Sequence, residues 1–209
     1  YQINGGIKKA KFNIFNQVEI ENLNLSFDIS KNQLILRKIE TDLNSVRLKS
    51  PLIQIEEKKN KFFINGKVIN NQQNFDIDKL KPILGDLLST IETEKIDFNS
   101  INTFSFNVNK NLKLNDLKLE TNLSLKNFKI VKNPLDLKTF LTNYNEQVKL
   151  EDHKIKIKLT KGILDIKGEG DIHIGGELEQ LSYKINNNDG RITFDTKLNI
   201  KNNPLIINF

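Results

Sequence analysis

His153 and His173 are the only imidazoles in this 209-residue chain, and Asp152 and Asp171 are their nearest acidic neighbours. A zinc-type centre needs three or four placed ligands. Two histidines on separate strands fall short of that and read as satisfied surface residues. Carboxylates also occur in pairs, Glu56-Glu57 and Glu169 with Asp171. General acid–base work needs such a pair to converge in a pocket, but in segments that alternate wet and dry it falls on the solvated side. The run KGEGDIHIGG at 167–176 contains Gly-x-Gly, yet it precedes strands and opens no helix, so bulges or tight bends are its reading rather than a phosphate cradle. The chain has no cysteine, no Gly-x-Ser-x-Gly and no Walker loop. These residues predict no enzyme, no metal and no cofactor.

The elements that carry these groups declare themselves by period. Residues 111–130, NLKLNDLKLETNLSLKNFKI, place apolar doublets two apart: Leu112/Leu114, Leu117/Leu119, Leu123/Leu125 and Phe128/Ile130. A period of two marks half-buried strands, whose side chains point alternately to opposite faces. The parity slips between 114 and 117, which requires a short turn or a one-residue bulge to restore the facing. The same strokes recur at Val18/Ile20, Leu23/Leu25/Phe27/Ile29, Leu34/Leu36, Val46/Leu48, Ile53/Ile55, Phe62/Ile64, Phe104/Phe106/Val108 and on to Leu198/Ile200. They predict about fifteen short strands in a long antiparallel meander, with Asn65-Gly66 as a hairpin turn. Two stretches change period. Leu80, Ile83, Leu84, Leu87, Leu88 and Ile91 form one stripe of a helix over 78–92, and Leu137, Phe140, Leu141 and Tyr144 follow the Asn133-Pro134 start signal of a second over 134–144. Both predicted helices are short and amphipathic.

Composition narrows the class of object. Hydrophobic residues make up 37% and aromatics 8% of the chain, a modest apolar inventory to spread over many strands, which suits a thin, elongated sheet better than a ball. The net charge of +6 comes from 32 basic residues, of which only Arg37, Arg47 and Arg191 are arginines. Lysines dispersed over polar strand positions lack the clustered patch with aromatic and arginine partners that a nucleic-acid interface needs. No run approaches the roughly 20 apolar residues of a membrane-spanning helix. An all-β chain of 209 residues is expected to form one domain, and the absence of Met, including at position 1, leads us to expect that residues 1–209 are a segment of a longer polypeptide.

The chain resembles the AsmA-like superfamily of Gram-negative envelope proteins, in particular its large YhdP- and TamB-type members. The resemblance rests on LTKGILDIKGEGDIHIGG at 159–176, on LSYKINNNDGRITFDTKLNIKNNPLIINF at 181–209, and on the similar rhythm of LRKIETDLNSVRLKSPLIQIEEKKNKFFINGKV at 36–68. It implies a curved antiparallel meander forming an open β-groove in the periplasm, anchored to the inner membrane by a helix outside this segment. It further implies that phospholipid acyl chains pass along the groove between inner and outer membranes while headgroups stay in water. Under this reading no residue is catalytic. The groove-lining candidates are Leu23, Leu25, Phe27, Phe104, Phe106, Leu112, Leu114, Leu117, Leu119, Leu123 and Leu125, with the helix at 78–92 as a plug, lid or rim. The alternative is a structural or adhesive β-module that buries the same doublets in a closed core. A glycan-active enzyme fits less well, since the chain has no Trp.

Overall fold

The computed structural model describes residues 2–14, 18–80, 93–111, 113–126, 128–130 and 148–203. Twelve antiparallel strands form one sheet: β1 (Ile3–Ile14), β2 (Val18–Ser30), β3 (Gln33–Leu43), β4 (Val46–Lys58), β5 (Lys61–Asp76), β6 (Lys95–Asn109), β7 (Leu114–Lys126), β8 (Phe128–Ile130), β9 (Val148–Thr160), β10 (Ile163–Ile174), β11 (Glu177–Asn188) and β12 (Arg191–Asn199). Eleven of them follow chain order from one edge to the other, and the short β8 continues the line of β7 on the flank of β9. The sheet does not close, because β1 and β12 form its two edges.

The strands are fewer and longer than the doublets suggest, and the reason is bulges. Lys9, Asn22, Lys38, Asn74, Asp116 and Asp152 all lie inside strands with positive φ. A register shift accompanies each, for example between Ser105 and Asn107 opposite Asp116, and between Glu169 and Asp171 opposite Asp152. One extra residue lets a strand absorb a parity slip without ending. Leu114 and Leu117 therefore reach the same face on either side of Asp116 (φ 54). Four of the six bulge residues are Asn or Asp, the side chains that tolerate the left-handed region best. Val18/Ile20 and Leu23/Leu25 thus belong to one strand, as do Val46/Leu48 and Ile53/Ile55.

Tight turns do the rest. Asn44-Ser45, Lys59-Asn60, Lys161-Gly162, Gly175-Gly176 and Asp189-Gly190 all have both residues at positive φ, the two-residue hairpin geometry that matches strand twist. Asn65-Gly66 is not a turn. It lies in the middle of β5, paired with Gln54 and Ile53 on one side and with Ser105 and Phe104 on the other. Residues Ile77–Leu80 form a single 3-10 turn. The remainder of the predicted helix over 78–92, and all of that over 134–144, fall outside the described residues.

Parity carried through the bulges puts most apolar residues on one face and most lysines on the other, although Ile35, Leu52, Phe63, Ile69, Ile101, Ile163 and Leu178 fall on the lysine side. Burial on the apolar face is uneven. Val46, Phe75, Ile77, Ile96 and Phe98 form one buried cluster, and Val148, Ile172, Ile174 and Leu181 another. Both lie at the end of the strands where β3 turns into β4 and β10 into β11, here termed the core end. Towards the opposite, far end the same face is half-buried, and at the sheet edges it opens further, with Ile3 52% and Ile192 66% exposed. Among the described residues no second layer of strands covers it. The chain exposes 14296 Å² for its 24.1 kDa, about 40% more than the roughly 10,000 Å² of a compact protein of that mass.

Candidate functional site

The apolar face is organised in rows that cross the sheet. Residues directly opposite one another share a face, and the pairings Gly5↔Phe27, Phe27↔Leu36, Leu36↔Ile53, Ile53↔Gly66, Gly66↔Phe104, Phe104↔Leu119, Leu119↔Leu159, Leu159↔Leu164, Leu164↔Asn187 and Asn187↔Ile192 trace a single file over all eleven consecutive strands. Ten spacings of about 4.8 Å make it about 48 Å long. Its one polar member is Asn187. On the far-end side runs a shorter parallel row, Ile3, Ile29, Leu34, Ile55, Ile64 and Phe106.

Glycines set the depth of this surface. A Cβ on Gly5 would meet Phe27 Cζ at 2.6 Å, and one on Gly66 would meet Phe104 Cζ at 2.8 Å and Ile53 Cγ1 at 3.0 Å. Tyr183 lies over Gly168 and His153 over Gly170 in the same manner. In each case an aromatic ring rests on a neighbouring strand's bare backbone instead of standing up from the sheet, so large apolar area is presented at low height. The glycines of KGEGDIHIGG divide accordingly: Gly168 and Gly170 are seats for rings within β10, and Gly175 and Gly176 form the turn.

Charge is nearly absent from this face. Apart from the rim residues Glu57 and Glu177 and the charged bulge residues Lys9, Lys38, Asp116 and Asp152, to which parity assigns no face, Glu179 is the one charged side chain that parity places on it among the described residues. Glu179 is buried and fully engaged: its carboxylate accepts from the backbone N–H groups of Lys201, Asn202 and Asn203 and from Asn203 Nδ2, all at 2.8–2.9 Å. Burial alone would raise this carboxyl, but the four donors outweigh it and hold the group below the usual carboxylate range. A depressed acid stabilises the fold above its unfolded value of about 4.3, and the contribution is lost as pH falls through the folded value. Glu179→Gln should therefore speed hydrogen exchange at the amides of 201–203 at least about tenfold at pH 7, corresponding to roughly 1.4 kcal/mol. It should also flatten the loss of stability expected of the parent as pH falls below the usual carboxylate range.

The sequence-named residues that are described share this face, but in two groups. Leu23, Leu25 and Phe27 lie on β2; Phe104, Phe106, Leu114, Leu117, Leu119, Leu123 and Leu125 lie on β6 and β7, four spacings away. Leu23 is buried, Leu114 is 49% exposed, and Leu123 and Leu125 pack on the first core cluster. Leu112 lies outside the described residues. The gap between the groups is bridged by Leu34, Leu36, Ile53, Ile55 and Ile64. His153 corrects another expectation. It is buried on the apolar face at 2% exposure, donating through Nε2 to the Asp171 carbonyl at 3.0 Å, and burial holds its imidazole below the ordinary value. His173, on the polar face, is partly buried with Nε2 3.2 Å from Glu151.

The polar face carries exposed ion pairs such as Lys156–Glu120 at 2.7 Å and Lys49–Glu40 at 2.8 Å. Pairs of this kind contribute little to stability, and their role is to keep one side of the sheet wet. Among the described residues no cluster of His, Asp and Glu could hold a metal ion, and no helix is long and apolar enough to cross a membrane. Comparison with protein-family models, curated proteins and solved structures finds no match to this chain.

Proposed function

We propose that the apolar face is a lipid track: a hydrophobic β-groove along which phospholipid acyl chains pass, serving bridge-type transport between the inner and outer membranes of a cell envelope. The observation that carries the reading is the uninterrupted file from Gly5 to Leu164, apolar at every strand it crosses and charged at none. Each methylene taken out of water on such a wall gains about 0.8 kcal/mol, so a fatty chain is held by area alone and can slide from strand to strand without exchanging specific contacts. Headgroups remain in water, since parity places no lysine or arginine along the file. The resemblance to AsmA-like proteins supports the same assignment, with the periplasm as the compartment and the membranes reached through regions outside this segment. No catalytic group and no cofactor enters the mechanism.

Strand alternation supplies an internal control for the test. A photoreactive benzophenone side chain placed at Phe104 or Leu119 faces the track, whereas at Thr103 or Lys118, one residue away, it faces the lysine-rich side. Irradiation with phospholipid vesicles should label lipid from 104 and 119 at least about fivefold more than from 103 and 118. Equal labelling from neighbouring positions would refute the track.

A further inference from the structure

Besides single polar residues such as Ser50, His153 and Glu179, the apolar face carries a polar cluster that spans three neighbouring strands. On β5, β6 and β7, one or two rows towards the core end from the Phe104 file, stand Asn70, Ser100, Asn102 and Thr121. Thr121 Oγ1 donates to Asn102 Oδ1 at 2.8 Å, and Asn102 Nδ2 donates to Ser100 Oγ at 3.0 Å and towards the Val68 carbonyl at 3.4 Å. Both Asn102 amide protons are thereby engaged. Asn70, directly opposite Ser100, is 7% exposed, and its buried Oδ1 accepts from nothing among the described residues. Ser100, 8% exposed, accepts from Asn102 and has its own hydroxyl proton left to give. An orphaned buried acceptor costs about 1–3 kcal/mol, a penalty that a ligand removes by supplying a donor.

We propose that this belt binds an uncharged hydroxyl group carried by an acyl chain, as in a monoacylglycerol; the proposal rests on the lipid-track reading and adds a class of cargo to it. A hydroxyl both donates to Asn70 Oδ1 and accepts from Ser100 through a single atom. An ester carbonyl only accepts. A carboxylate or phosphate only accepts and brings a charge that no cation on this face offsets. The belt also orients the ligand. Core-end side chains beyond it are already packed in the first buried cluster, so the tail runs the other way, over Phe104, Phe106 and Leu119. From the Asn102 level to Val108 at the far end is six residues, about 20 Å at about 3.3 Å each, room for a long chain laid along the strands.

The test is displacement of a fluorescent fatty-acyl probe from the purified protein by 1-monooleoylglycerol and by methyl oleate, which share the chain and differ in the hydroxyls. Monooleoylglycerol should compete at least about tenfold better with the parent, and the gap should shrink to within about twofold in Asn70→Leu and narrow in Thr121→Val, a near-isosteric change that spares the fold. A parent that binds the probe but does not distinguish the competitors, or an Asn70→Leu protein that keeps the tenfold gap, overturns the belt and leaves the track standing. A parent that binds no acyl probe overturns both.

Discussion

Leu119→Asp should abolish lipid loading while Leu119→Ala merely weakens it. Leu119 is half-buried at the centre of the Gly5–Ile192 file, between Phe104 on β6 and Leu159 on β9. Truncation to Ala removes three carbons from a wall built by many side chains, a loss of about 1 kcal/mol if half of that area touches lipid. The aspartate acts differently. A passing chain must strip water from an ionised carboxylate that has no partner within the row, which costs several kcal/mol and corresponds to a loss of about a hundredfold or more. The measurement is lipid extracted per mole of purified protein, with circular dichroism confirming strand content. Leu119→Asp should fall below about a tenth of the parent and Leu119→Ala should retain most of it. Lys118→Asp, on the other face, should load as the parent does.

The largest effect on stability is expected at Gly170. A Cβ there would come 2.7 Å from the Cα of His153, a backbone atom that cannot swing aside, as well as against the imidazole ring. At Gly168 the obstruction is the far end of the Tyr183 ring, which can rotate away. Gly170→Ala forces the β9–β10 pairing apart next to the Asp152 bulge, an overpacking cost of about 1–3 kcal/mol. For a chain of this length that lowers the melting temperature by about 2–12 °C, and Gly168→Ala should lie well above it. Equal melting temperatures would show that the ring-on-glycine seating does not hold the strands in register.

Much of the fold was legible because a strand period of two leaves little freedom: once a doublet is half-buried, its face is set. The slip between Leu114 and Leu117 called for a turn or a bulge, and Asp116 is the bulge. What the period could not tell was that nearly every slip would be resolved this way, which merges about fifteen strokes into twelve strands. Asn65-Gly66 misled because its dipeptide chemistry suits a hairpin, whereas Gly66 is needed in mid-strand to seat Phe104. His153 reads as a surface residue in the sequence because two histidines fall short of a metal site, whereas it is in phase with Ile155 and Ile157 on the dry face, next to the Asp152 bulge. The belt was visible as a gap: Ser100 and Asn102 fill the apolar positions between Phe98 and Phe104, and Thr121 the one between Leu119 and Leu123. Glu179 had no local signal, since its donors lie more than twenty residues along the chain.

The account turns on whether the open dry face takes up fatty chains, and the direct measurement is organic extraction of the parent protein after incubation with phospholipid vesicles and re-isolation, followed by mass spectrometry. It should yield at least one phospholipid per protein molecule. Protein that emerges without lipid would mean that its own side chains satisfy that face, and the track would be refuted.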